Sequence, residues 1–319
     1  MAIWGSEAGP VGSTPGQAGT SAPDPAAPFS LAHRTVVVAG AGGGGIGTAV
    51  ALMVAAAGGS VTALDINAQA LEDLDRRLAS ISGGHRSLVV DLRVADEVEE
   101  AMAEAAASGP PLHGLVHVAG GLAAEQWSSI LEMDLGHFDD VMERNLRAAV
   151  ITTRAAARHL TAKGAGSIVT VASVAGLSSL PFGSSYAASK AALLSYTRTA
   201  ALEWGGSGVR VNAVVPGTIA TPKTGGGEGP DVTPPEEQAV LPLRRRGSAE
   251  DVAGAVLYLV SDLSAWVTGH GLVVDGGSSV RPSFLDGDDL PVFVHADALR
   301  SRLGRDAETR PGRYPASAP

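Results

Sequence analysis

Seven short runs of β-branched and aliphatic residues punctuate the chain: Thr35–Ala39 (TVVVA), Val61–Leu64, Ser87–Val90, Gly114–Ala119 (GLVHVA), Ser167–Val171, Val209–Val215 (VRVNAVV) and Gly271–Val274. They are near-continuous apolar blocks rather than alternating ones, which is the pattern of strands buried on both faces of a parallel sheet. Between them lie longer segments that are apolar at helical spacing or rich in alanine. These are the segment after the glycines at 40–47, Asn67–Ile81, Val94–Ser108, part of His137–Lys163, Tyr186–Leu202 and Ser248–Val260. Strand and helix alternate throughout, so the pattern predicts one α/β domain over residues 31–280, a Rossmann-like doubly wound parallel sheet of about seven strands flanked by helices.

Three regions break the rhythm. Residues 1–30 are Gly, Pro, Ser, Thr and Ala with little periodicity and read as a disordered leader. Thr218–Val240 is Gly/Pro-rich and follows the C-terminal end of a strand, where open α/β sheets bind ligands, so it is a candidate substrate lid. Residues 281–319 form a polar C-terminal extension with one possible helix at Ala296–Leu303.

Composition removes several classes of function. A formal net charge of −10 over 319 residues argues against partners that are nucleic acids or anionic membranes. With no cysteine, disulfides, thiol catalysis and thiolate metal sites are excluded. No run approaches the ~18 apolar residues of a spanning helix, and the N-terminus lacks the basic and apolar regions of a secretory signal, so a soluble cytoplasmic protein is expected. The eight histidines show no metal-ligand spacing; His113 and His117 would share a side only as residues of one strand, and no metal is expected. Asp286-Gly-Asp-Asp289 lacks the glutamate of a calcium loop and reads as a solvated turn. Arg244–Arg246 reads as a surface run before a helix, and Lys223, in the lid, is a weak candidate for an acidic substrate.

Two stretches carry candidate chemistry. Strand Thr35–Ala39 runs into GAGGGGIG, Gly40–Gly47, and then into a helix. That order lets backbone N–H groups and a helix N-terminus meet a pyrophosphate. The next strand ends in Asp65, placed to accept the hydroxyls of an adenine ribose and to repel a 2′-phosphate, with no arginine at Ile66 or in the loop. NAD(H) is therefore favoured over NADP, although Asp65 also suits the N-cap of the following helix. The second stretch is Ser173–Lys190, SVAGLSSLPFGSSYAASK. Tyr186 and Lys190 are four apart in a helical segment and share a face. An ammonium beside a phenol is expected to draw the phenol pKa down toward the working range, and a serine hydroxyl at the strand end could polarise a carbonyl there.

In order, the glycine loop, Asp65, Asn145, Ser173–Tyr186–Lys190, Pro216-Gly217 and Asp275-Gly276-Gly277 resemble the short-chain dehydrogenase/reductase family over about Thr35–Gly277. The runs SYAASKAAL, NAVVPG and RRGSAEDVAGAVLYLVSD carry much of the likeness. The resemblance implies Tyr186 as general acid/base and Lys190 as the group that lowers its pKa and holds the nicotinamide ribose. It implies Ser173 on the substrate oxygen and Asn145 positioning a water of the proton relay. Cofactor contacts would come from Gly40, Gly44, Gly45, Ile46, Gly47, Asp65, Ile66, Asp91, Leu92, Ala119, Gly120, Tyr186, Lys190, Pro216, Gly217, Ile219 and Thr221. It also implies a homotetramer or dimer, with Asp275-Gly-Gly277 turning tightly against a neighbouring subunit, and a substrate pocket made by Gly121–Trp127, Ser178–Gly183 and the lid. The expected reaction is hydride transfer between NAD(H) and a small-molecule secondary alcohol or ketone. A 3-oxoacyl-[acyl-carrier-protein] reductase or a non-catalytic NAD-binding scaffold are the alternatives.

This chain departs from the family at two cofactor-side positions. The glycine loop follows Ala39 rather than threonine and is one residue longer, and the family's Asn-Asn-Ala-Gly is here His117-Val118-Ala119-Gly120. The pocket is expected to be repacked with apolar contacts.

Overall fold

The computed structural model describes residues 29–222 and 232–282. Most of the leader, Lys223 with the middle of the lid, the Asp286–Asp289 turn and the Ala296–Leu303 helix lie outside the described residues.

Seven strands form one sheet: β1 (Thr35–Ala39), β2 (Ser60–Asp65), β3 (Arg86–Val89), β4 (Leu112–His117), β5 (Gly166–Val171), β6 (Val209–Pro216) and β7 (Gly271–Val274). Their order is β3-β2-β1-β4-β5-β6-β7 and every neighbouring pair is parallel. The chain winds outward from β1 to β3, then crosses back to β4 on the other side of β1. That reversal opens a crevice at the C-terminal ends of β1 and β4, where ligands of doubly wound sheets bind.

All five residues of β1 are buried, because its side chains feed two cores. Val36 and Val38 pack on the face covered by α1 (Ile46–Ala56), α2 (Ala68–Leu78) and α8 (Ala249–Val260). Val37 and Ala39 pack on the face covered by α3 (Ala95–Ala107), α5 (Ala148–Lys163) and α6 (Ser184–Gly205). This explains why the strand sequences do not alternate.

Local signals set the helix ends. Asn67 caps α2 by accepting from Ala70 N–H, and Ser248 caps α8 in a reciprocal box with Asp251. The α2 N-cap is therefore Asn67 rather than Asp65. The segment His137–Lys163 starts earlier than its pattern suggests, as α4 (Leu135–Met142). It then passes through one wide π turn at Glu143–Arg147 before continuing as α5. Asn145 sits in that turn, consistent with π turns gathering at functional positions. The described part of the lid is not wholly irregular: Ile219 bridges to Gly247, and Pro235–Gln238 forms a single helical turn, α7.

His113 and His117 do not share a face. The β1–β4 register shifts between Thr35 and Val36, and beyond the shift His113 reaches Val260 O at the end of α8 (2.9 Å). His117 meets Thr152 of α5 on the opposite face. The arginine run is tied to its surroundings: Arg244 donates to Gln238 and Ala239 carbonyls, Arg245 pairs with Asp251 and Arg246 with Glu237. Asp275 accepts from Gly277 and Ser279 N–H, which closes the expected tight turn. Among the described residues no helix is long and apolar enough to cross a membrane, and no cluster of metal-ligating side chains occurs.

Candidate active site

The crevice contains a cavity of about 490 Å³ whose floor is the glycine loop. Two glycines are required by close approach. A Cβ on Gly47 would lie 1.9 Å from Gly40 O, and one on Gly40, whose φ is +86°, would lie 2.6 Å from Ala119 N. The first turn of α1 therefore packs directly on the loop backbone, and the loop on the end of β4. Gly45 occupies the N-cap of α1, and no side chain caps it. Gly45, Ile46 and Gly47 all line the cavity, so the uncapped helix N-terminus opens onto it, a ready anion site.

The two departures in sequence are absorbed here mainly by backbone. Val118 and Ala119 N–H both donate to Ala39 O, and Gly40 and Ala41 N–H both donate to Leu64 O. The small Ala39 and Ala119 let the chains meet and join the apolar cluster on one face, while Val118 packs against the other, in line with the apolar contacts expected from the sequence.

Asp65 closes one end of the cavity. Its Oδ2 accepts from Gly42 N–H (2.8 Å) and its Oδ1 from Asn67 N–H (3.0 Å). The carboxylate is thereby fixed toward the loop, and each oxygen keeps acceptor capacity for a ligand hydroxyl. Exposed Ile66 flanks it. On the far wall Asp91 is gripped by Arg93, with Nε and Nη2 at 2.9 and 2.7 Å from its two oxygens. This hydrogen bonding holds the Asp91 carboxyl below its ordinary range and offsets its partial burial.

At the other end of the crevice, β5 delivers Ser173 and the first turns of α6 deliver Tyr186 and Lys190. Ser173 Oγ accepts from Ala175 N–H (3.2 Å) and hydrogen-bonds the Tyr186 phenol. Lys190 is fully buried; its Nζ donates to Val171 O (2.9 Å) and lies 5.6 Å from the centroid of the Tyr186 ring. Asn145 Nδ2 donates to Gly121 O and Val141 O (2.8 and 2.9 Å), while its Oδ1 accepts from Gly121 N–H (2.8 Å). Its amide thus clamps the loop after β4. A Cβ on Gly120 would lie 2.5 Å from Asn145 Oδ1 and 3.4 Å from Lys190 Nζ, so Gly120 is where the cavity meets Asn145 and Lys190.

The titration of this cluster differs from the expectation. Burial pushes the Tyr186 phenol up, and the Ser173 hydrogen bond offsets that only in part. The Lys190 ammonium donates to Val171 O rather than to the phenol. Burial brings the Lys190 ammonium down to about 8. Beneath it lies a histidine whose burial and missing partner the sequence does not announce. His117 is fully buried with Nδ1 2.8 Å from Thr152 Oγ1, and its Nε2 has no partner. Burial, with Lys190 adding repulsion, takes this imidazole down to about 3, so it stays neutral.

A family model described as Enoyl-(Acyl carrier protein) reductase matches residues 40–279. The chain is 37% identical to cis-4-hydroxycyclohexanecarboxylate dehydrogenase of Sinomonas cyclohexanicum, over 78% of this chain and 97% of that protein. It is 33% identical to the NAD-dependent glycerol dehydrogenase of Listeria innocua, over 79% and 96%. The crystal structure assigned as an NAD(P)-dependent gluconate 5-dehydrogenase of Beutenbergia cavernae, with bound NADP, superposes with a TM-score of 0.72 at 36% identity, covering 79% of this chain and 99% of that one. The chain belongs to the short-chain dehydrogenase/reductase family. With membership come a Rossmann-like fold, a site for NAD(P) and oxidoreductase chemistry at a CH–OH carbon.

The cavity fits such a group by its own features: a side-chain-free cradle, an uncapped helix N-terminus and a fixed carboxylate. Of the residues expected at the cofactor, Gly40, Gly45, Ile46, Gly47, Asp65, Ile66, Asp91, Leu92, Ala119, Gly120 and Thr221 line it, and Gly44 adjoins it across from Pro222. Tyr186, Lys190, Pro216, Gly217 and Ile219 do not; Tyr186 and Lys190 stand beyond Gly120, at the end of the crevice next to this cavity. Pro216 ends β6, Gly217 packs on Asp275 and Ile219 is buried. Gly42, Arg93 and Arg144 line the cavity without having been expected. Arg93 could have been found from its place directly after Asp91-Leu92; Arg144 carries no sequence signal beyond adjoining Asn145.

Proposed function

We propose that the chain interconverts a secondary alcohol and a ketone with NAD(H), using Tyr186 as the proton donor and acceptor. The observation that carries this reading is the convergence of Ser173, Tyr186, Lys190 and Asn145 at one end of a crevice whose other end holds the fixed Asp65 carboxylate. A scaffold that merely retained the fold would have no need of all four. Such a protein would belong in the cytoplasm, as the homotetramer usual for the family.

When bound, the nicotinamide supplies or accepts the hydride. The chain's own residues do the rest. The uncapped N-terminus of α1 receives the pyrophosphate, and Asp65 accepts the adenine-ribose hydroxyls. A 2′-phosphate would face that carboxylate at short range, which favours NAD(H) over NADP(H). Ser173 Oγ donates to the substrate oxygen and holds it beside the phenol. Tyr186 gives its proton to that oxygen in reduction and takes it back in oxidation. With its pKa pushed up, the phenol is protonated at neutral pH, ready for reduction; oxidation gains as pH rises and the phenolate fraction grows. Lys190 keeps a positive charge within reach of that phenolate, and Asn145 holds the Gly120-Gly121 loop against it.

The description of the matching family model favours a second reading, reduction of an acyl group carried on an acyl carrier protein, with the thioester link left intact. That reaction calls for a basic surface at the crevice mouth to meet an acidic carrier. Titration of NADH and NADPH separately, followed by nicotinamide fluorescence, tests the cofactor assignment. NADH binding at least tenfold tighter than NADPH is expected. The reverse preference would displace the Asp65 argument, and binding of neither would defeat the dehydrogenase reading itself.

A further inference from the structure

The substrate side of the crevice has a chemistry of its own. The loop after β4 and the loop before α6 are joined there: Ser128 N–H donates to Phe182 O (2.9 Å), and Ser184 Oγ lies 3.7 Å from Met133 Sδ. Gly183, the N-cap of α6, lacks the Cβ that would lie 2.6 Å from Leu180 Cδ2 and 3.4 Å from Trp127 Cζ3. The Trp127 ring therefore lies on this loop one helical turn before Tyr186, and it is still 48% exposed. Phe182 is 63% exposed and adopts φ +64°, one of three non-glycine residues in the left-handed region among the described residues. A phenylalanine there is strained and buries little of its ring, so stability does not explain it. Strain of this kind gathers at ligand-binding positions.

The charge around these rings is one-sided. Between Gly121 and Glu143 the sequence has no lysine or arginine but carries Glu125, Glu132, Asp134, Asp139 and Asp140. Between Ala172 and Ser189 it has no charged residue at all. A carboxylate, a sulfonate or the phosphate of a pantetheine arm would enter past acids and meet no basic side chain in these two loops. A polyol would leave both aromatic faces without an apolar partner.

Resting on the dehydrogenase reading above, we propose that the site selects an uncharged, largely apolar secondary alcohol or ketone of ring size, alicyclic or aryl, held between Trp127 and Phe182. These two residues act on specificity, while Ser173 and Tyr186 act on the carbonyl oxygen.

The experiment compares matched probes with the full-length enzyme: methyl 4-hydroxycyclohexanecarboxylate, the corresponding free acid and glycerol, each with NAD. The neutral ester is expected to exceed both others at least tenfold in kcat/KM. Trp127→Ala is expected to raise KM for the ester about tenfold with NADH affinity unchanged. Phe182→Gly should do the same while its melting temperature holds or rises, because the strained backbone is relieved. Preference for the acid or for glycerol overturns the proposal, as does an unchanged KM in Trp127→Ala, including the case where only its oligomeric state changes. Absence of NADH binding in the wild type would instead defeat the underlying dehydrogenase reading, so the two failures are distinct.

Discussion

The two ends of the crevice are built in opposite ways. At the cofactor end the backbone does nearly everything: Gly40 and Gly47 let main chains touch, and Asp65 is fixed by two N–H donors. At the substrate end the surface is made of side chains on loops, with Trp127 and Phe182 exposed and one backbone conformation strained. The contrast teaches where each property resides. On the proposed reading, recognition of the dinucleotide falls to the sheet and its first turn, and selection of the substrate to segments that can vary without disturbing the fold.

The contrast is tested most severely at Gly47. A methyl group there cannot be accommodated 1.9 Å from Gly40 O without moving the loop. Gly47→Ala should cost about 3 kcal/mol of stability, at the upper end of overpacking penalties, and abolish detectable NADH binding. Denaturant melts and fluorescence titration would check both. Near-normal binding would mean that the loop is far more plastic than its contacts imply, and the comparison would lose its first half. Asp65→Ala should have a smaller effect, read chiefly at the ligand although the Gly42 and Asn67 N–H groups also lose their acceptor. Removing a charged acceptor of two hydroxyls, at about 1.5 kcal/mol each, should weaken NADH roughly 100-fold and leave NADPH much less affected. Parallel titrations of the variant with the two dinucleotides would show it, and equal losses would contradict the role given to this carboxylate.

The smallest effect concerns His117, which lies under the junction of the two ends. Its folded pKa of about 3 is below the unfolded value, so the unfolded chain binds the extra proton first as pH falls. The stability it contributes is complete above about pH 6.5 and is lost progressively on acidification. Between pH 6.5 and 5, above the range of most carboxylates, the wild type should lose up to about 2 kcal/mol. His117→Gln, which removes the titration, should show a flatter profile in denaturant melts. An identical slope in both proteins would mean that the imidazole is not the group responsible.

What could be read from the sequence follows the same division. The inner strands were legible because burial on both faces leaves unbroken apolar runs such as TVVVA, the edge strands β3 and β7 because they stay short and β-branched, and only strand ends differ, by one or two residues. The cofactor end was legible because backbone contacts demand glycines at fixed spacing and a carboxylate at the next strand end. Three things were not legible. The π turn that places Asn145 arises from how α4 and α5 join, and no residue type announces it. The shift that sends His113 and His117 to opposite faces is a property of strand pairing, which alternation alone does not contain. The titration of Tyr186 is the third, because i, i+4 spacing puts Lys190 nearby without saying where its ammonium points. In the fold it points to Val171 O, and burial governs both groups.

The central claim is that one phenol moves the proton in a site that otherwise binds NAD(H) independently of it. The most direct measurement is steady-state turnover of Tyr186→Phe beside its NADH affinity. The account predicts a fall in kcat of at least ~10²-fold, the low end of general acid/base contributions, with NADH affinity within about threefold of wild type because cofactor recognition rests mainly on the glycine loop and Asp65. Retention of more than a tenth of wild-type turnover would contradict it.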